Sequence, residues 1–317
     1  MLYPISEPIS GTVADRHGYI DEGGNVLIPP SFSGCGHFFE GKAAVLDESN
    51  KTGFIDAKGR TAIAPHFQGL GRFHAGLCFI SGGFIDHSGA WAIPPAFLAA
   101  SAFSEGLATA SKDGENFGFI DFAGNVVIPE KFRPCKPFSE GLAAVCENDR
   151  WGFINRDGEL EIPTVFESPN AKRFCNGIAA ARLDGKWGFI DRTGAFVIRP
   201  EYDQLRSFSE GLACVRKGRK WGMIDADGRP AIDFQFDDLE PFNGGLAAAS
   251  IDKSAGFISP FGKWVIGPEF SKSLSFFGGL AVVQRGETYS YIQRGGKIVW
   301  TSKSGASIQY PPRPLFV

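Results

Sequence analysis

No apolar run in the 317-residue sequence approaches the roughly 20 residues that a membrane-spanning helix needs, which excludes a helical membrane anchor. The opening stretch from Met1 to Pro8 lacks the basic and apolar regions of a secretory signal, so a cytoplasmic location is expected. Charge of one sign is scarce too. Lysine and arginine number 32 against 35 acidic residues, a net charge of −3 that argues against a general binder of nucleic acid. The six cysteines (Cys35, Cys78, Cys135, Cys146, Cys175 and Cys214) contain no C-x-x-C pair, and reduced packing thiols are expected over a disulfide framework or a zinc site. The five histidines, His17, His37, His66, His74 and His87, show no H-x-x-x-H or H-E-x-x-H spacing, so no metal site is expected. A P-loop, a G-x-G-x-x-G opening a helix and a G-x-S-x-G elbow are all missing, which leaves no cofactor and no nucleophile to assign.

What is abundant is phenylalanine, at 30, and glycine, at 41. Phenylalanine favours strands and glycine serves turns, a β composition with many corners. Aligning the chain on itself explains both excesses. Gly-Phe-Ile-Asp or a near variant begins at Gly18, Gly53, Gly83, Gly118, Gly152, Gly188, Gly222 and Gly256, with a degenerate ninth copy at Ser290. With that residue as position zero, +6 is glycine in all nine copies, and +10 is isoleucine and +14 aromatic in the first eight. A Phe-x-x-Gly then leads into an apolar stretch such as Leu142-Ala143-Ala144-Val145.

Each unit reads as three short strands. Strand A is the Gly-Leu-Ala-Ala-Val stretch, strand B the Trp-Gly-Phe-Ile-Asp stretch, and strand C runs into the +10 isoleucine. Asp-x-x-Gly between B and C has the chemistry of a type I turn followed by a bulge, and a polar loop joins A to B. Strand C is expected to end at its prolines, such as Pro29-Pro30, Pro163 and Pro200. The linker beyond is long enough for a brief fourth strand. Gly11 to Ala14 supplies a first strand A and Lys297 to Thr301 a ninth strand C, so residues 1–301 form one domain of nine whole modules. A polar, proline-rich tail, 302–317, follows.

Trp151-Gly152-Phe153-Ile154, Trp187-Gly188-Phe189-Ile190 and Trp221-Gly222-Met223-Ile224, with the downstream Phe-Ser-Glu-Gly-Leu-Ala, resemble the bacterial WG (KWG) repeat proteins. The resemblance spans nearly the whole chain, although three of nine copies keep the tryptophan. It implies a bacterial, repeat-built protein that mediates interactions, and it transfers no catalytic residue.

The expected fold is therefore all-β: nine tandem antiparallel modules of three strands and about 34 residues, which must stack to bury their faces. A propeller-like toroid is favoured, with an open superhelical β-solenoid as the alternative. No split module is available to clasp a ring shut.

Repeated carboxylates are the tempting chemistry. The +3 series, Asp21, Asp56, Asp86, Asp121, Asp191 and Asp225, could chelate calcium or serve a glycosidase, yet capping the turn already explains it. The glutamates of Phe-Ser-Glu-Gly (Glu40, Glu105, Glu140, Glu210) read as a solvated loop edge. Two features suit a ligand. One is a row of rings, Trp151, Trp187 and Trp221, able to grip sugars, Pro-rich peptides or cations, or else simply to pack. The other is the A–B loop, where modules differ most: a basic cluster, Arg216, Lys217, Arg219 and Lys220, and a shortened unit at Cys78 to Gly82.

The function expected from these features is a non-catalytic interaction scaffold, with another protein as partner and immunity-type neutralisation as one form. Carbohydrate binding through the tryptophan row is the alternative. A cryptic hydrolase with carboxylates converging on a central channel is a third reading. Neither nucleic-acid binding nor membrane insertion is expected.

Overall fold

The computed structural model describes residues 1–9, 14–167 and 173–306. Among them are nine small antiparallel sheets and no helix, so no helix is long and apolar enough to cross a membrane. Modules are numbered 1 to 9 by their position-zero residues, Gly18 to Ser290.

Module 5 shows how the repeat folds. Strand A is Ala143–Glu147, B is Arg150–Ile154 and C is Leu160–Phe166. A and B pair in register from Ala143↔Ile154 to Glu147↔Arg150. A two-residue turn closes them, with Asn148 at φ 49° and Asp149 at φ 60°. Both central residues in the left-handed region make a type I′ turn, whose twist matches that of the strands it joins.

The B–C pairing explains the glycine of the motif. Trp151 pairs with Phe166 and Phe153 with Ile162, so Pro163, Thr164 and Val165 bulge opposite Gly152 alone. A Cβ on Gly152 would sit 2.4 Å from the Ile162 carbonyl oxygen. The position-zero glycines of the other seven bulged modules sit equally tight, at 2.4–2.7 Å from the oxygen of their own +10 isoleucine. Module 9 has Ser290 there, and its strand pairs Ser290↔Thr301 and Tyr291↔Trp300 with no bulge at that place.

In module 3 strand C is Trp91–Ile93 and stops before Pro94-Pro95 as expected, but in modules 1, 2 and 4 to 8 it does not stop at its prolines. Leu160–Phe166 contains Pro163, and Phe196–Tyr202 contains Pro200. C is an edge strand of its sheet, and its prolines lie in the bulge, where no ladder hydrogen bond is lost. In those seven modules the strand therefore reaches the +14 aromatic. The linker then supplies the brief extra strand in several sheets, as at Gly34–Cys35, Ala99–Ala100, Asp238–Leu239 and Lys272–Ser273, each paired to the following strand A.

The chain divides into two compact units, Phe73–Ser207 and Met1–Arg72 with the chain from Phe208 onward. Within Phe73–Ser207, modules 3 to 6 stack face to face. Phe119, Ile128 and Phe132 of one sheet meet Phe138, Ala143, Val145 and Ile154 of the next. Ala144, Cys146, Trp151 and Phe153 then face onward against Ala179, Ala181 and Ile190. Strand A thus buries both faces, and its alanines let the sheets approach. Each Phe of Phe-x-x-Gly tilts against the +1 ring of the preceding sheet: Phe84–Phe103, Phe119–Phe138 and Phe153–Phe174, with centroids 5.0, 4.8 and 4.8 Å apart. The +6 glycine completes the layer. Gly194 has φ 86°, and a Cβ there would lie 2.8 Å from Ile162 of the previous module.

The other unit repeats these layers between modules 7 and 8, 8 and 9, and 1 and 2. It also stacks module 1 on module 9, through Tyr3, Ile5, Ile20, Leu280, Val282, Tyr289 and Tyr291. First and last modules pack face to face in this layer. The strand that pairs with the first strand B in the place of strand A is Tyr3–Pro8, from Tyr3↔Ile20 to Pro8↔Asp15. Gly11 to Val13 lie outside the described residues. The frame slips because Tyr3 and Ile5 offer more apolar surface to module 9 than a Gly-Thr-Val-Ala strand can. The start of the tail joins this layer: Ser302 is buried and donates its N–H to the Tyr289 carbonyl at 2.8 Å, while residues 307–317 lie outside the described set.

Phenols fasten the contact. Tyr291 donates to the Pro4 carbonyl at 2.7 Å, the Ser6 N–H donates to the Tyr289 oxygen at 3.1 Å, and the Gly279 N–H donates to the Tyr3 oxygen at 2.8 Å. Burial raises the pKa of all three, Tyr291 well above the usual phenol value. A folded pKa above the unfolded one gives stability that is complete below the unfolded value and lost as pH rises through the folded one. The urea midpoint should therefore fall as pH climbs past about 10, the phenol pKa of an unfolded chain. Tyrosinate absorbance at 295 nm should then appear together with unfolding. Tyr291→Phe should flatten this alkaline fall, and an unchanged profile in that variant would refute the assignment.

Candidate functional site

The repeated side chains that could carry chemistry cluster on the turns. Each +3 aspartate caps its own B–C turn. Asp121 Oδ1 accepts the N–H groups of Ala123 at 2.9 Å and Asn125 at 2.8 Å, and Asp191 Oδ1 those of Thr193 and Ala195 at 2.8 and 3.1 Å. Asn155 does the same in module 5. Hydrogen bonds from Asn25, Arg60, Ser88, Asn125 and Thr193 side chains hold Asp21, Asp56, Asp86, Asp121 and Asp191 below the usual carboxylate range. A carboxylate saturated by its own turn has few lone pairs left for a cation or a substrate.

The glutamates of Phe-Ser-Glu-Gly correct the sequence reading. They occupy a second type I′ turn, at φ 48–54° (Glu40, Glu105, Glu140, Glu210), each followed by a glycine at φ 78–83°. They are more than a solvated edge, because Glu105, Glu140 and Glu210 reach the next module. Glu105 accepts the N–H groups of Glu140 (2.5 Å) and Gly141 (3.0 Å), and Glu140 that of Gly177 (2.9 Å). Glu210 accepts those of Gly244 and Gly245. The serine beside each donates forward as well: Ser104 to the Phe138 carbonyl at 2.8 Å, Ser139 to Phe174 and Ser209 to Phe242, both at 2.7 Å. Arginine at +4 reaches back to the previous turn, Arg156 to the Glu105 carbonyl at 2.8 Å, Arg192 to that of Glu140 and Arg294 to that of Gly244. The motif is thus a tie between neighbouring modules. Its recurrence at a fixed distance from the core phenylalanine was visible in the sequence; the positive φ that aims it at the next turn was not.

The tryptophans are inside. Trp151, Trp187 and Trp221 are 1%, 9% and 6% exposed. Each pairs across the ladder with the +14 aromatic of its own module, Phe166, Tyr202 and Phe236. A row of rings gripping a sugar needs open faces, and these faces are covered by protein. Of the two alternatives for Trp151, Trp187 and Trp221, the burial fits packing rings.

The basic cluster keeps an outward part. Arg216 lies over the Trp221 ring with its guanidinium carbon 5.9 Å from the centroid, and Lys220 pairs with Asp237 at 2.7 Å. Lys217 and Arg219 are exposed at the tip of the hairpin. The shortened unit at Cys78 to Gly82 closes in a tight turn, Ser81 at φ 50° and Gly82 at φ 85°, whose Gly82 carbonyl accepts the N–H groups of Ala96 and Phe97. The longer A–B loop of module 2 carries Glu48, which bonds Arg16 of module 1 at 2.8 Å.

Histidines and cysteines do not converge: among the described residues no three His, Cys, Asp or Glu side chains gather as a metal site. His17 takes the tryptophan position of module 1 and is buried, which lowers its pKa. His87 stacks on Phe73 with centroids 4.3 Å apart. The six cysteines form no disulfide with one another, and burial pushes the thiols of Cys35, Cys78 and Cys135 up to about 12.

A family model for the WG containing repeat matches residues 18–50, 53–81, 83–115, 117–151, 151–187, 187–221, 221–253 and 256–289. The chain belongs to the WG-repeat family. The eight matches are the eight modules with a position-zero glycine and a bulged strand C. No curated protein matches the sequence. Among solved structures, the chain is similar to the computationally designed protein Ika8, at 12% identity and a TM-score of 0.51, covering 83% of this chain and 93% of that one. It is also similar to BamB from Moraxella catarrhalis, at 12% identity and a TM-score of 0.40, covering 93% and 92%. At such identity the likeness to Ika8 speaks for the fold alone.

Proposed function

We propose that this WG-repeat protein is a non-catalytic scaffold whose partner is another protein. What carries the reading is the employment of its repeated carboxylates: the aspartates cap their own turns, and Glu105, Glu140 and Glu210 tie one module to the next. A stacked array of that kind holds surface loops at fixed spacing, which suits recognition of an extended partner. The buried tryptophans weigh against the carbohydrate alternative. The test is affinity capture on the immobilised full chain, followed by reconstitution with the purified candidate. A stoichiometric complex that protects defined loop amides from hydrogen exchange supports the reading. Failure of every captured protein to form such a complex overturns it.

A further inference from the structure

The ties described above are not the same at every joint. The carboxylates of Glu105 and Glu210 each occupy the paired N–H groups of the next type I′ turn, and that of Glu140 occupies the Gly177 N–H. The turn Ser104-Glu105-Gly106-Leu107 of module 4 follows His74-Ala75-Gly76-Leu77 of module 3, whose corresponding residue is Ala75. Alanine has no carboxylate to send. No acceptor among the described residues reaches the N–H groups of Glu105 and Gly106, although their turn, at φ 53° and 83°, matches that of Glu140 and Gly141 one module on, at 54° and 78°.

A second substitution falls at the same joint. The +4 residue, which is Arg156 or Arg192 in the next two modules and reaches back to the previous turn, is Phe122 in module 4. Its ring stacks on Phe103 at 4.3 Å between centroids, yet the residue stays 46% exposed. So two backbone donors with the geometry of a carboxylate clamp lie beside an aromatic face open to solvent. The chain itself shows which ligand fits such a clamp, since Glu105 fills the equivalent one through both oxygens. The turn's own glutamate is no obstacle: Glu140 stands in the filled turn as Glu105 stands in this one. Donor pairs of this kind bind an anionic acceptor more strongly than a neutral one.

We propose that this joint is a docking site for a glutamate side chain of the partner protein, clamped by the N–H groups of Glu105 and Gly106 with its neighbouring apolar side chain on Phe122. The proposal rests on the scaffold reading, because the ligand is a protein side chain presented from outside.

The probe is a blocked peptide, acetyl-Ser-Glu-Gly-amide, titrated into the full ¹⁵N-labelled chain. The amides of Glu105 and Gly106 should shift, and the Ser-Gln-Gly peptide should bind about tenfold more weakly or worse, since a charged acceptor is lost. Ala75→Glu installs the chain's own carboxylate at a φ of 53°, which Glu105, Glu140 and Glu210 already adopt, so the fold should tolerate it. That variant should no longer bind the peptide. Equal binding of both peptides, no shift of either amide, or undiminished binding to Ala75→Glu each overturns the docking site. A partner that forms its complex equally with wild type and Ala75→Glu also overturns the site and leaves the scaffold reading standing, whereas the lack of any complex removes the scaffold reading itself.

Discussion

Gly152→Val is expected to destabilise the protein by about 3 kcal/mol or more, at the upper end for overpacking, because the obstruction is backbone rather than a movable side chain. The Cβ would sit 2.4 Å from the Ile162 carbonyl oxygen and 2.7 Å from the Pro163 carbonyl carbon. Relief requires flattening the bulge, which would carry Phe166 out of register with Trp151 and break the layer that both rings share. Gly188→Val should behave alike, with Ile198 and Pro200 as the obstruction. The opposite change in module 9 makes the control. Ser290 lies in a strand pair without that bulge, so Ser290→Gly should cost about 0.5–1 kcal/mol, the ordinary penalty of glycine in a strand. Calorimetric melting of the three variants decides: if Gly152→Val melts with the wild type, the bulge does not explain the motif.

The repeat was legible because its constraints are local. Position zero, +6 and +10 recur since a backbone crossing, a left-handed turn and the side chain over that turn each admit one residue type, and self-alignment exposes such positions. The stacking of Phe119 on Phe138 follows from the same regularity. What escaped were relations between modules. Nothing in Phe-Ser-Glu-Gly alone says that its glutamate points along the array, because the aim comes from a positive φ. The length of strand C in module 5 is hidden for a related reason: proline breaks a ladder, but the bulge takes Pro163 off the ladder. The first strand was misplaced because Tyr3-Pro4-Ile5-Ser6 carries no repeat signature, only an apolar pattern suited to module 9. Of the candidate site, the turn aspartates were read correctly from spacing. Exposure of the tryptophans could not be read, because whether a ring at a hairpin is covered depends on the neighbouring sheet.

That last point makes Trp151→Ala the sharpest test of how these motifs should be understood across the array. The ring is 1% exposed, packed with Phe153, Phe166 and Phe174 of its own layer and with Ala179, Ala181 and Ile190 of the next sheet. Truncation to alanine removes that contact and leaves a cavity, an expected loss of about 3–5 kcal/mol. An exposed ligand platform would give a different number, since surface substitutions usually stay within about 0.5 kcal/mol. Trp151→Phe should recover part of the loss, because an aromatic residue already fills the equivalent place in module 4, where Phe117 pairs with Phe132. Modules with His17, Thr52 or Ala255 at this position lack the full indole, so the tryptophan is one way among several to fill the space beside the +14 ring. If Trp151→Ala retained wild-type stability while losing a bound ligand, the motif's tryptophan would be a recognition residue. With the burial seen here, the expected result is the reverse: a large loss of stability, and recognition left to the turns and loops that the layers hold in place.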